Sequence, residues 1–386
     1  MPSFLQDRDD LKLLIAYETL KNLSLSMLTV FIPIAIYSGS ESIVLTGLYL
    51  LIRASTGFLS SYPVMLVIGK RGFRMGLYTS YLFLIPAVVS AYLLPYNPVY
   101  VALIGILYGL GKSFHKQSRD LEFAVGSDAS DRDMQAAYLM SLPNLGRFTG
   151  PVLGGIISGS LGFGLMFLVA LASAAVSIAP VLGMDLKKKQ EGLDPGTILT
   201  AENLKTSPIF VSRGIQAYAS VGLFSLFTYI TVAGSLSSGL VRSLDTVGFM
   251  VMAYLSGRIS RRYSRTSIVV TGSLLAGVVF LLRIPVSTPL QAFAVSLAGG
   301  LAYKLYDIPL FSSFADQAEK TEKRGFYAAK KTFNSLGKVL TAATFLYFTL
   351  AFDVQAAFTS VFVLAAASTV VMALTQKMNT RYEMEK

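Results

Sequence analysis

The stretch that decides the expected fold lies before the middle of the chain and reads Gly146-Arg147-Phe148-Thr149-Gly150-Pro151-Val152-Leu153-Gly154-Gly155. Its small residues allow the backbones of neighbouring helices to approach closely. Pro151 bends a membrane helix where neighbouring groups can satisfy the freed carbonyl. The stretch therefore predicts a helix that packs against other helices inside a membrane bundle.

Charged residues within the apolar segments of the chain recur at a nearly constant offset. At 192 positions, Lys21 matches Arg213, Arg53 matches Asp245, Lys112 matches Lys304 and His115 matches Asp307; at 191, Arg147 matches Lys338. Charge inside hydrocarbon is costly, rare and usually functional. Matched positions in two halves predict a duplicated membrane bundle with a site between the copies.

The composition is that of a polytopic membrane protein. Of 386 residues, 53% are hydrophobic and 14% are charged, whereas soluble chains carry about a quarter charged residues. The formal net charge of +11 comes from basic residues in short segments between apolar spans, which is not the pattern of a nucleic-acid-binding face.

The absence of cysteine excludes disulfides and thiol catalysis. The acidic, polar N-terminus lacks the basic start of a cleavable signal peptide, so we expect the first span to remain.

A spanning helix needs roughly 20 mostly apolar residues, and we predict twelve such spans. Their approximate ranges are 11–36, 42–67, 74–94, 98–117, 135–158, 162–184, 203–232, 238–259, 266–285, 289–314, 326–350 and 354–376. A polar stretch divides them into an N-terminal six-helix bundle over 1–184, a cytoplasmic linker over 185–206 and a C-terminal six-helix bundle over 207–386. Thr200 and Ser207 are competing starts for the seventh span.

Basic residues gather in alternate loops of the predicted bundle. These loops contain Lys70, Arg71 and Arg74; Lys116, Arg119 and Arg132; Lys187, Lys188 and Lys189; Arg258, Arg261, Arg262 and Arg265; and Lys320, Lys323 and Arg324. The opposite loops are short and nearly free of lysine and arginine. This asymmetry predicts that both termini lie in the cytoplasm. We expect an integral protein of the plasma membrane.

Together, the twelve spans, the repeated halves, the central linker and the span 5 motif resemble the major facilitator superfamily over almost the whole chain. The motif residues that fit the family pattern G-x-x-x-G-P-x-x-G-G are Gly146, Gly150, Pro151, Gly154 and Gly155. The resemblance implies an all-α fold of two pseudo-symmetric six-helix bundles and a secondary active transporter that works by alternating access. In that fold, spans 1, 4, 7 and 10 surround a central cavity, spans 2, 5, 8 and 11 join the halves, and spans 3, 6, 9 and 12 face lipid.

The cytoplasmic loops depart from the family pattern G-x-x-x-D-R-x-G-R-R. Basic character is kept in both copies, by Lys70, Arg71, Gly72 and Arg74 in the 2–3 loop and by Arg261, Arg262 and Arg265 in the 8–9 loop. The acid is lost, because Gly69 and Arg261 occupy its place. Span 4 has Gly105 near the place of an arginine that drug exporters of the family carry, which disfavours a standard proton-driven exporter.

The polar residues of the cavity spans predict the site. As substrate-binding residues we expect Lys21, Asn22, Lys112, Arg213, Gln216, Tyr303 and Lys304. Cations are in surplus, and they bind carboxylate or phosphate by charge-assisted hydrogen bonds, so we predict an anionic organic solute. The candidates for proton coupling are Glu18, Asp307 and His115. Arg53, Asp245, Arg147 and Lys338 are expected as gating or interface residues.

Other interpretations of these residues remain open. Glu18 and Lys21 can neutralise each other, Lys304 and Asp307 can form a self-satisfied pair, and His115 can be a hydrogen-bonded residue at a helix end. A proton-coupled drug exporter is the alternative function. A membrane-embedded enzyme is disfavoured because the sequence shows no metal cluster, nucleophile–base arrangement or phosphate-binding glycine loop. A non-transporting sensor is disfavoured because we see no sizeable soluble domain in the sequence. The expected partners are a small-molecule substrate and the lipid bilayer, with no cofactor, no nucleic acid and a monomeric chain.

Overall fold

A computed structural model describes residues 9–93, 96–126, 143–183, 198–259, 262–320 and 323–384. These ranges are almost entirely helical and form twelve consecutive helical units, which we number α1 to α12. They are α1 (Asp9–Ser40), α2 (Ile43–Leu59 and Ser61–Arg71), α3 (Phe73–Leu93), α4 (Pro98–Gly126), α5 (Pro143–Ser160), α6 (Phe163–Val176 and Ile178–Leu182), α7 (Ala201–Tyr218, Ala219–Leu223, Phe224–Thr228 and Tyr229–Ala233), α8 (Ser235–Ile259), α9 (Arg265–Leu282), α10 (Pro289–Lys320), α11 (Lys323–Ala351) and α12 (Val354–Met384).

The apolar character of these helices is uneven. Among the described residues, α1, α3, α6, α7, α9 and α12 are long and apolar enough to cross a membrane by composition alone, and the bent α2 makes a seventh. The remaining helices, α4, α5, α8, α10 and α11, are diluted by charged and small residues. Charge is tolerated in a membrane bundle where it faces protein or water instead of lipid. The diluted helices are therefore expected in the interior of the bundle.

Proline explains the breaks in α2 and α6. The two segments of α2 meet at an angle of 48°, and Pro63 lies at the third position of the second segment. Pro180 has the same place in the second segment of α6. Since proline has no backbone N–H, it cannot bond the carbonyl four residues earlier, and the helix breaks there.

The start of α7 settles the competition between two helix starts. Thr200 is the N-cap, and its side chain accepts a hydrogen bond from the backbone N–H of Asn203. The helix consequently begins at Ala201, so residues 201–206 of the predicted linker are helical. The preceding residues 184–197 lie outside the described part of the chain. Two segments of α7, Ala219–Leu223 and Tyr229–Ala233, are π-helical.

The two halves repeat the same packing. In the first half α1 packs on α5 and α6, and α4 packs on α2 and α3; in the second half α7 packs on α11 and α12, and α10 packs on α8 and α9. The halves meet through α5 against α8 and α2 against α11. This is the predicted all-α membrane architecture of two pseudo-symmetric bundles.

Glycines of the span 5 motif set the closest helix contacts. A Cβ at Gly146 would overlap the carbonyl oxygen of Thr19 on α1, and a Cβ at Gly155 would lie 2.8 Å from the carbonyl oxygen of Ser235 on α8. The repeat partner of Gly146 is Gly337 on α11, where a Cβ would overlap the carbonyl oxygen of Val211 on α7. The motif therefore joins α5 both to its own half and to the other half.

Candidate functional site

A cavity of about 480 Å³ lies between the two halves. Its described lining residues come from α1, α2, α4, α5, α7, α8, α10 and α11, and none comes from α3, α6, α9 or α12. This is the partition of helices that the family resemblance implies. The interior helices that composition alone does not identify as spans all contribute to the lining.

The lining is strongly basic. Among the described residues it includes eleven cationic side chains and three carboxylates: Arg53, Lys112, Lys116, Arg119, Arg147, Arg213, Arg242, Lys304, Lys330, Lys331 and Lys338, against Asp120, Asp245 and Asp307. Charges act more strongly in a cavity with low-dielectric walls than in water. The cavity is therefore an electrostatic attractor for anions.

Asp307 organises the cations of the second half. Its carboxylate forms ion pairs with Arg213 of α7 and, at 3.1 Å, with Lys304 of its own helix. The Lys304 ammonium also lies 3.9 Å from the ring centroid of Phe249. Lys304 and Asp307 thus form the ion pair that the sequence analysis gave as an alternative, and Arg213 binds the same carboxylate. Tyr303 lines the cavity beside them.

Gln216 has a different environment from its neighbour Arg213. Its side chain is fully buried, accepts a hydrogen bond from the hydroxyl of Tyr306, and donates one of 3.4 Å to Ser368 of α12. It is not among the cavity-lining residues. The sequence analysis grouped Gln216 with Arg213 as substrate-binding residues. In the structure, the side chain of Gln216 is instead packed between α7, α10 and α12.

Glu18 and His115 form a second buried cluster. The Nε2 atom of His115 lies 3.5 Å from Glu18, and the Nδ1 atom of His115 is 2.7 Å from the hydroxyl of Tyr17. Arg119 lies 3.5 Å from Glu18 and 2.5 Å from Asp120. Of this cluster, His115, Arg119 and Asp120 line the cavity, whereas Glu18 lies behind them. His115 is inside α4 and not at its end.

Lys21 requires a correction to the sequence-based picture. Its side chain is fully buried and its ammonium lies 3.2 Å from the ring centroid of Tyr81 on α3, away from the central cavity. Asn22, the next residue, does line the cavity and also donates a 3.4 Å hydrogen bond to Glu18. Successive side chains on a helix point about 100° apart, so Lys21 faces α3 and α6 where Asn22 faces the cavity.

The four residues expected at gates all line the cavity. Asp245 pairs with Arg242 one turn away on α8, and Arg147 donates a 3.4 Å hydrogen bond to Asn144 on α5. Arg53 lies among tyrosine rings, and Lys338 extends from α11. In this conformation Arg53 is therefore not paired with its repeat partner Asp245, and Arg147 is not paired with its repeat partner Lys338.

Several lining residues were missed by sequence reasoning. Lys116, Arg119 and Asp120 lie on α4, which continues to Gly126, beyond the predicted end at 117. Lys330 and Lys331 lie within the predicted eleventh span, but they have no charged counterpart 192 positions earlier. The repeat that identified the other charges could not find them. The sequence signal that could have found Lys330 and Lys331 is their place on the same predicted span as Lys338.

The basic loops lie at one end of the bundle, which we call the basic end. Lys70 and Arg71 are exposed at the end of α2, and Gly72 has a φ of 85°, which a glycine adopts without strain. Arg74 donates hydrogen bonds of 3.2 Å to the Tyr78 hydroxyl and to the carbonyl oxygen of Leu182. Arg262 and Arg265 are exposed before and at the start of α9, and Arg261 lies outside the described residues.

The opposite end of the cavity, the far end, is sealed between the halves. Tyr218 of α7 donates a 2.6 Å hydrogen bond to the carbonyl oxygen of Leu50 on α2, and the rings of Tyr37 and Tyr229 meet edge to face at 6.3 Å. Towards the basic end, the side chains of Arg119 and Asp120 keep 20% and 30% exposure. Solvent therefore reaches the cavity from the basic end.

A comparison with solved structures identifies the architecture. The crystal structure of a POT family transporter in complex with a thioalcohol-conjugated peptide matches with a TM-score of 0.78 over 96% of this chain and 96% of that chain. The fold is that of the major facilitator superfamily. Sequence identity in this match is 12%, so the likeness establishes the fold alone. No protein-family model matches the sequence, and no curated protein matches it.

Proposed function

We propose that this chain is a secondary transporter that moves small organic anions through the membrane by alternating access. The observation that carries the proposal is the excess of lysine and arginine over aspartate in the cavity between the halves. The volume of about 480 Å³ is in the range of small-molecule sites, about 300–1,000 Å³. A drug exporter with a mainly apolar cavity fits this lining less well.

Alternating access is supported by the position of the contacts between the halves. The far end is closed by Tyr218 on Leu50 and by Tyr37 on Tyr229, each pair formed by one residue from each half. A rocking movement of the halves would break these contacts and expose the cavity on the other side. One chain encloses the whole cavity, so we propose a monomeric working unit. From the asymmetry of basic residues between the loops, we propose that both termini lie in the cytoplasm.

We further propose that Glu18 and His115 bind the coupling proton. Their buried contact lies behind Arg119, which also contacts Asp120 on the cavity side. Protonation of Glu18 would leave Arg119 paired with Asp120 alone and would free the part of its guanidinium that faces Glu18 for a substrate anion. Asp307 is the less suitable carrier, because two cations hold its carboxylate. In a Glu18→Gln variant, transport should lose its dependence on a proton gradient.

The test of the function is uptake into liposomes containing the purified chain. Labelled organic anions should accumulate, whereas neutral and cationic compounds of the same size should not. Arg147→Gln should reduce the rate several-fold, because it removes a cavity cation. The matched control is Lys377→Gln on the exposed end of α12, which removes one charge outside the cavity. Uptake restricted to neutral or cationic compounds would overturn the proposal.

A further inference from the structure

Most cations of the cavity have an acidic neighbour. Asp307 holds Arg213 and Lys304, Asp245 holds Arg242, and Asp120 holds Arg119. Lys116, Lys330 and Lys331 lie within electrostatic reach of Asp120, and Arg147 lies within reach of Glu18. For three lining cations of the described part of the chain, Arg53, Lys112 and Lys338, the strongest electrostatic neighbours include no acid. We call them the cation triad.

Arg53 is the most deeply placed member of the triad. Its exposure is 8%, and its Nη1 atom has no hydrogen-bond partner among the described residues. Its guanidinium carbon lies 4.9 Å, 5.6 Å and 6.0 Å from the ring centroids of Tyr108, Tyr218 and Tyr49. Aromatic rings attract a cation but do not satisfy its N–H donors. The Nη1 donor of Arg53 is therefore open to an oxygen of a ligand.

Lys112 lies beside Arg53 at the same tyrosine. Its ammonium is 5.6 Å from the Tyr108 ring centroid and donates a 3.1 Å hydrogen bond to Thr29, whose hydroxyl is 2.7 Å from the Tyr108 hydroxyl. One hydrogen bond leaves two ammonium donors for a ligand. Both cations belong to the first half of the protein and lie within 6 Å of one ring centroid.

Lys338 comes from the second half. It lines the same cavity as Arg53 and Lys112, and the charged groups that act on it most strongly are Lys116, Lys331, Lys112 and Arg53, all of them cationic. Like charges in a cavity repel one another and raise the free energy of the empty protein. An anion placed among the triad would remove this repulsion and would contact both halves at once.

We propose that the cation triad binds the head group of the transported solute, and that this head group is a dianion of the phosphate monoester type. The inference rests on the proposed anion transport and specifies its substrate. A guanidinium binds two phosphate oxygens side by side, and lysine ammonium groups bind phosphate as point charges. A single carboxylate would leave two of the three positive charges without compensation. The remaining cavity volume accommodates the organic part.

The first experiment compares two probes that share a ring and differ in charge. Calorimetry on the purified full chain should show phenyl phosphate binding at least tenfold more tightly than benzoate at pH 7.5. The dianion of a phosphate monoester takes up one proton with a pKa of about 6 and becomes a monoanion, so the affinity for phenyl phosphate should fall about tenfold at pH 5.0. Benzoate keeps one charge over this range and reports any titration of the protein. Equal affinities for both probes would overturn the dianion assignment.

The second experiment locates the site. Lys112→Gln and Lys338→Gln should each weaken phenyl phosphate binding about tenfold, and Lys338→Arg should restore most of it. Arg53→Lys removes the two-oxygen contact and should have a similar effect. Lys338 is only partly buried, so its variants test the triad even if Arg53 variants do not fold. The control, Lys377→Gln, should bind normally.

The outcomes separate the two proposals. Unchanged binding in the triad variants together with a loss in Arg213→Gln would overturn the triad but leave anion transport standing. Failure of both phenyl phosphate and benzoate to bind, with no anion uptake into liposomes, would overturn the proposed function itself.

Discussion

Lys21 is a fully buried lysine whose ammonium contacts the ring of Tyr81 instead of an acid. Its Nζ atom has no hydrogen-bond partner among the described residues. A desolvated cation–π contact contributes about 2 kcal/mol, whereas burial of an ion costs several kcal/mol. The balance predicts that the charge of Lys21 destabilises the folded protein.

Lys21→Met is therefore expected to raise the unfolding temperature in detergent or leave it unchanged, because Met fills the same space without charge. Lys21→Ala is the control: it also removes the charge but leaves a void, and should lower stability by about 2 kcal/mol. Thermal unfolding followed by circular dichroism measures both. A marked loss of stability in Lys21→Met would show that the ammonium is a net stabilising group.

Residue positions explain what the sequence could predict of the site. The repeat marked Lys112, Arg213, Lys304 and Asp307, and all four line the cavity, because a charge retained in both copies must be kept out of lipid. It could not tell which way Lys21 faces. That depends on the rotation of α1 in the bundle, and neighbouring positions on a helix face directions about 100° apart.

At the scale of elements, the packing of α7 on α11 depends on Gly337. A Cβ there would overlap the carbonyl oxygen of Val211 and lie 2.9 Å from the backbone nitrogen of Ile215. Both neighbours are backbone atoms in a helix, so they cannot move aside without displacing α7. Gly337→Ala should destabilise the protein by about 1–3 kcal/mol, measured as a lower midpoint of thermal unfolding.

Gly159→Ala is the matched control for this substitution. The nearest atom to a Cβ at Gly159 is the Cβ of Ser235, at 3.9 Å, which is an ordinary contact. This variant should unfold at the wild-type temperature or slightly above it, since alanine is the better helix former. If the two variants behave alike, close backbone approach at Gly337 does not contribute to stability.

The elements were largely predictable because their signals are local. Stretches of roughly 20 mostly apolar residues predicted the twelve helices, although only six or seven of the described helices are apolar enough to cross a membrane by composition alone. The small residues of the span 5 motif predicted the tight contacts of α5. The π-helical segments of α7, Ala219–Leu223 and Tyr229–Ala233, were not predicted. Their sequences carry neither proline nor a charge that marks the irregularity, so they depend on how α7 packs against its neighbours.

At the scale of the whole molecule, the closed far end predicts one-sided access to the cavity. Ala217 lines the cavity on α7, and the chain has no cysteine, so Ala217→Cys introduces a single thiol. In liposomes, a membrane-impermeant maleimide should label it from the basic end. A transported anion should change the labelling rate, because it shifts the population of the two conformations.

Phe352→Cys serves as the comparison for this measurement. Phe352 is 66% exposed in the connection between α11 and α12, at the far end. Its labelling should come from the other side of the membrane and should not respond to the anion. An Ala217→Cys labelling rate that is equally insensitive to every anion tested would contradict alternating access.

The sequence predicted two halves but not their relative rotation. Duplicated charges such as Arg53 and Asp245 mark the repeat regardless of conformation. Which end of the cavity is closed depends on contacts such as Tyr218 on Leu50. Alternative conformations of a protein differ by only a few kcal/mol, so neither the closed end nor the set of unpaired cations follows from the pattern of residues.

The break in α2 divides the helix between two tasks. Ile43–Leu59 carries Arg53 and the Leu50 carbonyl of the far-end seal, while Ser61–Arg71 carries the basic loop and contacts α11 through Ser61 and Thr332, 3.0 Å apart. A helix in two pieces does not transmit a tilt as a rigid rod does. Ser60 is therefore expected to act as a hinge that lets the segment at the basic end move while the segment that carries Arg53 stays in place.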